Sequence, residues 1–380
     1  MKILMVSMPS LHFFRWTEQL KDSGHDIYWF NITDSGEAVR RMAWIDQCYG
    51  WRLKWDFPGR TRLKAAFPQL SKFIEEINTN STEKAFESYL KSVKPDVVHS
   101  FVLHISCMPI LSVMVNYKKI KWIYSAWGND LYYHQYISKD KVQISKTLPY
   151  LDYMFADCQR DIDLADPLGF RGKSLGVFPG GGGYNLTMIK GDLKQPNQRS
   201  GIIIKGYQGK LHRGLNVIKA LERLRKIPKV TIFSADHILT DYIENSSQLN
   251  IENFEIYGKN TPISHKELCR MMNRNLIYIG NNLSDGMPNT LLEAICYGAF
   301  PIQSNPGGAS AEIITHGENG LLIEDCENIS EIQACIELAL NDSDLIENAS
   351  EINQKLKYSI EHENIKKKVL KRYNNVKNEL

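Results

Sequence analysis

Apolar residues along the chain fall in short, nearly unbroken runs that alternate with stretches of helical spacing. In the first half, KILMVSM (2–8), HDIYWFNI (25–32), DVVHSF (96–101), KWIYSAW (121–127) and YMFAD (153–157) read as strands. Between them, FFRWTEQLKDSG (13–24), stopped by Gly24, and segments around 82–92 and 105–116 carry the helical period. The second half repeats the scheme, with strands GIIIKGY (201–207), KVTIFSA (229–235), FEIYG (254–258), LIYIG (276–280), AFPIQSN (299–305) and LLIED (321–325). Its helices read as 215–227, 264–274, 288–298 and 309–317. Continuous apolar strands alternating with helices predict parallel sheets covered on both faces. The expected architecture is α/β, with two doubly wound Rossmann-like domains facing across a cleft. Domains are expected at 1–190 and 201–355, joined by the polar linker GDLKQPNQRS (191–200). A helical end, 356–380, is expected to pack back across both domains.

Composition narrows this reading only in places. The first apolar run stops at Pro9, far short of the ~20 residues of a membrane span, and reads as a buried strand. Seven cysteines, scattered and without a Cys-x-x-Cys pair, fit reduced thiols in a cytoplasm rather than a disulfide framework or zinc site. The net charge of +3 makes nucleic acid a poor partner. Residues 1–190 carry 24 Lys and Arg against 19 Asp and Glu, and the excess gathers in 40–72. There eight cations meet only Asp46 and Asp56, with Trp44, Tyr49, Trp51, Trp55, Phe57 and Phe67 interleaved. Such a segment suits either an anionic membrane surface or a solvated loop whose aromatics fold onto the domain.

The stretch SDGMPNTLLEA (284–294) carries the most chemistry. Pro288 suits a first helical position and Gly298 a helix end. Gly286 lets a ligand approach the backbone closely. A helix amino end so prepared, with the backbone of Gly286, Met287, Pro288, Asn289 and Thr290, suits a phosphate. Glu293 lies inside the helix, where a carboxylate would accept hydrogen bonds from a ribose diol, and Asp285 can reach hydroxyls beyond the phosphates. Lys205, Lys210 and Arg213, in KGYQGKLHRGL after a strand, would neutralise a diphosphate leaving group. SNPGGASAEII adds Gly307 and Gly308 before a further expected helix containing Glu312.

These residues resemble the retaining glycosyltransferases of the GT-B fold, specifically glycosyltransferase family four, or group 1, and within it bacterial surface-polysaccharide enzymes. The similarity is strongest through IYIGNNLSDGMPNTLLEAICYGAFPIQSNPGGASAEIITHGENGLLIE (277–324), with echoes in KPDVVHSF, SAWGNDL, FADCQRDI and VFPGGGGYN. The resemblance implies transfer of a sugar from a nucleotide diphosphate sugar, with UDP favoured and GDP the other option. The acceptor would be a hydroxyl of a glycan or lipid-linked chain in surface polysaccharide synthesis. It implies Glu293 on the ribose, Asp285 on the transferred sugar, and 260–263 near the base. No cofactor is expected, and no divalent metal. Aspartate stands at 285 where glutamate is usual, and Trp127 where a sugar-contacting histidine is frequent. His99, His104 and Asp130 are candidates to replace that histidine, and His12 and Trp127 are expected on the acceptor side. The expected location is cytoplasmic, with peripheral contact to the inner membrane face through 40–72.

Two other readings compete. A nicotinamide dehydrogenase needs Gly-x-Gly-x-x-Gly after its first strand, and VSMPSLHFF lacks it. A binding protein on the same fold would hold a nucleotide sugar or glycan without turnover, and the departures at 285 and 127 leave that open.

Overall fold

The computed structural model describes residues 1–186, 193–261 and 263–380. The expected domain end and linker start, at 187–192, lie outside the described residues, as does Pro262 of the stretch expected near a base. Two compact units emerge. One comprises Met1–Ala156, Ile162–Gly176 and Val369–Leu380; the other comprises Asp157–Asp161 and Val177–Lys368.

The first unit holds strands β1 (Lys2–Ser7), β2 (Asp26–Asn31), β3 (Asp46–Cys48), β4 (Val97–Phe101), β5 (Lys121–Ala126), β6 (Tyr153–Ala156) and β7 (Lys173–Val177). Their order across the sheet is β3-β2-β1-β4-β5-β6-β7. The second unit holds β8 (Ile202–Lys205), β9 (Val230–Ala235), β10 (Phe254–Gly258), β11 (Ile277–Gly280), β12 (Phe300–Ser304) and β13 (Leu321–Ile323), in the order β10-β9-β8-β11-β12-β13. Every pairing in this second sheet is parallel. The strand order therefore reverses direction beside β1 in one sheet and beside β8 in the other. At such switch points the connecting helices leave toward opposite faces, and the strand carboxyl ends open a crevice.

Burial explains why the strands are so apolar. Ile202 and Ile204 of β8 point into one core layer with Ile277, Ile279, Val217 and Leu221. Ile203 and Tyr278, one step along, point into the opposite layer with Leu291 and Ile295. Both faces are covered, so alternation of polar and apolar residues is absent.

Several expected elements differ in the structure. The first helix spans Leu11–Glu18 because Ser10 accepts a hydrogen bond from the Phe13 N–H and starts it early. The expected 105–116 helix is broken into a wide turn at Leu103–Cys107, a tight turn at Met108–Ile110 and one α-turn at Leu111–Met114. Pro109 cannot donate within a continuous helix, which accounts for the break. The expected 309–317 helix is two short 3-10 turns, Pro306–Gly308 and Ser310–Glu312. Strands β3 and β7 and the helix His237–Asn245 were not anticipated. Within 40–72 the chain is ordered, with helices Arg60–Ala66 and Pro68–Asn78 beyond β3. Among the described residues no helix is long and apolar enough to cross a membrane.

Candidate active site

In the second unit the switch-point strands β8 and β11 end in the residues singled out above. Lys205, the last residue of β8, carries its Nζ to 3.9 Å from Asp285 Oδ2. The same ammonium lies 5.1 Å from the Tyr207 ring centre, and Lys259, after β10, lies 5.3 Å from that ring. Asp236, after β9, accepts from Lys259 Nζ at 2.9 Å. Asp285 is fixed from its other side, since Asn282 Nδ2 donates to Oδ2 at 2.9 Å and the Gly286 N–H to Oδ1 at 3.0 Å. His212 Nδ1 pairs with Asn282 Oδ1 at 2.7 Å, and burial pulls its pKa down. Lys205 thus lies beside Asp285 at the mouth of a helix, with His212 bound to the Asn282 that also holds Asp285, while Lys259 pairs with Asp236 across the Tyr207 ring.

That helix is Asn289–Tyr297, and Pro288 precedes it as its cap rather than forming its first residue. Gly298 closes it in the left-handed region at φ 79°. Met287 is buried in the apolar layer. The Asn289 side chain accepts from Tyr184 Oη at 2.8 Å, and Thr290 Oγ1 lies 2.8 Å from Tyr278 Oη. These bonds hold the first turn in place while its backbone points beyond the strand ends. The absent side chain at Gly286 has a local cause: a Cβ there would lie 2.4 Å from Asp157 Oδ1.

Glu293 is only 5% exposed, so it is not a surface glutamate. Its Oε1 lies 2.8 Å from Nε2 of His265, the first residue of the helix His265–Arg274. Contacts with Cys269 and with Glu293 raise the His265 pKa to about 9, so the imidazole is charged at neutral pH. His265, Lys259 and His212 were missed by sequence reasoning. Each is far in sequence from Asp285 and Glu293, and only the strand order brings them near.

Other expected members do not converge. The Arg213 guanidinium is bound to Glu327 and to the Gly209 carbonyl at 2.7 Å, anchoring the turn after β8. Lys210 is exposed. Glu312 accepts the Gln159 and Arg160 N–H groups at 2.6 and 2.9 Å, capping the helix Gln159–Ala165. Arg160 donates to the Pro306 carbonyl at 2.6 Å and pairs with Asp161 at 2.8 Å, so these contacts engage both ends of the 306–312 loop.

In the first unit, the corresponding strands are β1 and β4. His12 follows β1, its ring centre 5.5 Å from that of Trp127. Val102 follows β4 at φ 67°, a strained value for a β-branched residue, and opens the wide turn that carries His104. The His104 ring stacks on His134 at 4.3 Å, and His134 Nδ1 is held by Asp140 Oδ2 at 2.7 Å. Burial lowers the His104 pKa, keeping it neutral. Asp130 is buried and accepts from the Leu103 N–H at 2.8 Å, Tyr124 Oη at 2.5 Å and the Trp127 N–H at 3.0 Å. It ties the ends of β4 and β5 together, and its carboxylate is occupied by that task. His99 is a correction of a different kind. It is fully buried, with Nδ1 bonded to Tyr373 Oη at 2.7 Å and Nε2 to Ser125 Oγ at 2.8 Å. No ring nitrogen is left for a substrate, and burial depresses its pKa to about 3.

The strand order, with its switch points beside β1 and β8, defines a doubly wound α/β protein. The chain has the GT-B fold, and residues 210–368 match the family described as Glycosyl transferases group 1. Sucrose-phosphate synthase from Thermosynechococcus elongatus superposes with a TM-score of 0.72 at 14% identity, covering 100% of both chains. The lipopolysaccharide outer core galactosyltransferase WaaB, in its apo form, gives 0.69 at 15% identity, again over 100% of both chains. Anabaena HepE in complex with UDP and glucose gives 0.66 at 11% identity over 100% of both. No curated protein matches the sequence.

Proposed function

We propose that the protein is a retaining glycosyltransferase that takes its sugar from a UDP-sugar and passes it to a hydroxyl of a glycan or lipid-linked acceptor in cell-surface polysaccharide synthesis. The observation that carries this reading is the placement of Lys205 beside Asp285 at the helix tip that precedes the buried Glu293, with Lys259 against the same Tyr207 ring as Lys205. Ammonium groups and a helix amino end suit a diphosphate and stabilise it as it leaves. A carboxylate inside the helix suits the neutral ribose diol, and Asp285 the transferred sugar. His104, neutral and set on a strained turn, is the best placed residue of the first unit to contact a sugar hydroxyl. UDP is favoured on the likeness to HepE, which was solved with UDP and with UDP-glucose. Catalysis would rest on positioning and on leaving-group stabilisation, and lysines with a helix dipole make a divalent metal unnecessary. The protein would work in the cytoplasm, at the inner face of a membrane.

The test is thermal stabilisation by UDP, GDP, ADP and NADH, each with and without EDTA. UDP should raise the melting temperature whether or not EDTA is present, and Glu293→Ala should abolish the shift. A shift by NADH alone refutes the reading. Release of UDP from UDP-sugars separates an enzyme from a binding protein of the same fold.

A further inference from the structure

The helix Pro68–Asn78 in the first unit is packed inside out. Its inward residues, Ser71 and Asn78, are small and polar and fully enclosed. Three of its four large apolar residues point outward, with Leu70 50%, Phe73 60% and Ile77 52% exposed, while Ile74 is half-buried; Phe67, just before the helix, is 60% exposed. At 3.6 residues per turn Leu70, Phe73 and Ile77 share an arc about 60° wide, and Phe67 lies at its amino end. Ordinary surface helices bury such an arc, so this one is built to meet something apolar. The presentation is fixed from below. Asn78 Nδ2 donates to the Trp55 carbonyl at 2.7 Å, its Oδ1 accepts from the Trp55 N–H at 2.9 Å, and its carbonyl accepts the Lys54 N–H at 2.9 Å. That latch sets Trp55, itself 48% exposed, beside the helix.

Charge identifies what would cover the arc. The preceding helix, Arg60–Ala66, exposes Arg60, Arg62 and Lys64, and Lys72 is exposed on the apolar helix itself. Arg60 lies 3.7 Å from Asp56 and Lys64 3.2 Å from Glu75, so a protein partner would above all have to bury Arg62 and Lys72 or pair them with acids. An anionic lipid surface takes rings and aliphatic chains below its headgroups while lysine and arginine stay among the phosphates. We propose that the face carrying Phe67, Leu70, Phe73 and Ile77 docks on an anionic bilayer, with Arg60, Arg62, Lys64 and Lys72 as its electrostatic collar. The inference deepens the membrane location of the proposed function and rests on that reading for it, but uses none of the residues assigned to the nucleotide.

The experiment is flotation of the full chain with vesicles of phosphatidylcholine alone and of phosphatidylcholine mixed with phosphatidylglycerol. The protein should float with the anionic vesicles and stay behind with the neutral ones. Binding should fall steeply in about 1 M salt, where the Debye length is about 3 Å. Arg62→Ala with Lys72→Ala should weaken it about 25-fold, since each cation near an anionic surface strengthens binding about fivefold. Phe67→Ser with Phe73→Ser should weaken it at least about tenfold while leaving the melting shift by UDP intact. Equal flotation with neutral vesicles overturns the proposal, as does wild-type flotation of the phenylalanine variant. So does a dimer in light scattering that this variant converts to monomer, which would make the arc a contact between two copies. Flotation without any nucleotide-induced shift would sustain the membrane face and sink the glycosyltransferase reading instead.

Discussion

Replacing Glu293 by alanine tests the donor site at its most specific point. The carboxylate sits in the second turn of the helix Asn289–Tyr297, 5% exposed, with Nε2 of His265 at 2.8 Å. Its assigned task is to accept hydrogen bonds from the ribose 2′ and 3′ hydroxyls. A hydrogen bond to a charged group contributes about 1.5–3 kcal/mol. At about 1.4 kcal/mol per decade, losing one such bond weakens UDP about 10- to 100-fold. The assay is calorimetric titration with UDP and with 2′-deoxy-UDP. Wild type should prefer UDP about tenfold or more, and Glu293→Ala should bind both equally weakly. His265 competes for the same carboxylate, so His265→Ala should bind UDP as tightly as wild type or more so. The His265 pKa is raised from 6.5 to about 9 by Cys269 and Glu293. Its pairing with Glu293 therefore contributes to stability in full below pH 6.5, and that contribution is lost as pH rises through about 9. A Glu293→Ala protein that folds normally and still prefers UDP to its deoxy analogue would refute the assignment.

Four further outcomes follow from individual contacts. Lys205→Ala should weaken UDP about 10- to 100-fold. Arg213→Ala, which frees Glu327 and the Gly209 carbonyl, should lower the melting temperature and change UDP affinity less than about threefold. Titration and melting curves on both variants decide this. Gly286→Ala drives a methyl group into the Asp157 carboxylate, 2.4 Å away, and should cost about 1–3 kcal/mol by denaturant melts, with most of it recovered in the Gly286→Ala, Asp157→Ala double variant. His99 must stay neutral in the fold, so its contribution is intact above pH 6.5 and is lost as pH falls from there through about 3. The loss approaches about 4–5 kcal/mol at the acid end, at about 1.36 kcal/mol per pKa unit. Urea melts between neutral pH and pH 4 should show an acid limb that is shallower in His99→Phe.

Much of the fold was legible because burial on both faces leaves a plain signature. Runs such as IIIK in β8 and VVHSF in β4 have no other stable use in a chain of this composition. The helix tip was legible for a similar reason, since Asp285, Gly286, Pro288 and Gly298 are local signals read within a few residues. What failed to show was whatever depends on distant pairing. Glu293 was legible as a carboxylate inside the helix, but not its pairing with His265, 28 positions away. Arg213 looked like a phosphate ligand until Glu327, 114 positions away, took its guanidinium. The strand β3 has three residues and no pattern of its own, and the inverted helix Pro68–Asn78 was hidden because its apolar spacing reads the same whether it faces in or out. His99 could have been recognised. Val97 and Phe101 stand two residues to either side of it, so all three share one strand face, and Phe101 stacks on the imidazole at 4.2 Å.

The two units solve the same topological problem with different chemistry, and the contrast bears on what each can hold. Both place their switch point beside the first strand, at β1 in one and at β8 in the other. The β8 crevice is furnished with ammonium groups, an aspartate and a helix nine residues long. Those are the groups that bind charge. The β1 crevice is furnished with rings, namely His12 against Trp127 and His104 against His134. Burial keeps His104 uncharged, and Asp130 is consumed in holding the strand ends, so no net charge is offered there. Rings and neutral imidazoles suit the apolar faces and hydroxyl edges of sugars and contribute little to an anion. A single binding module would need only the first of these furnishings. A protein that moves a sugar from a nucleotide to a hydroxyl needs both, and the strained turn at Val102 is explained if His104 must be aimed rather than merely packed.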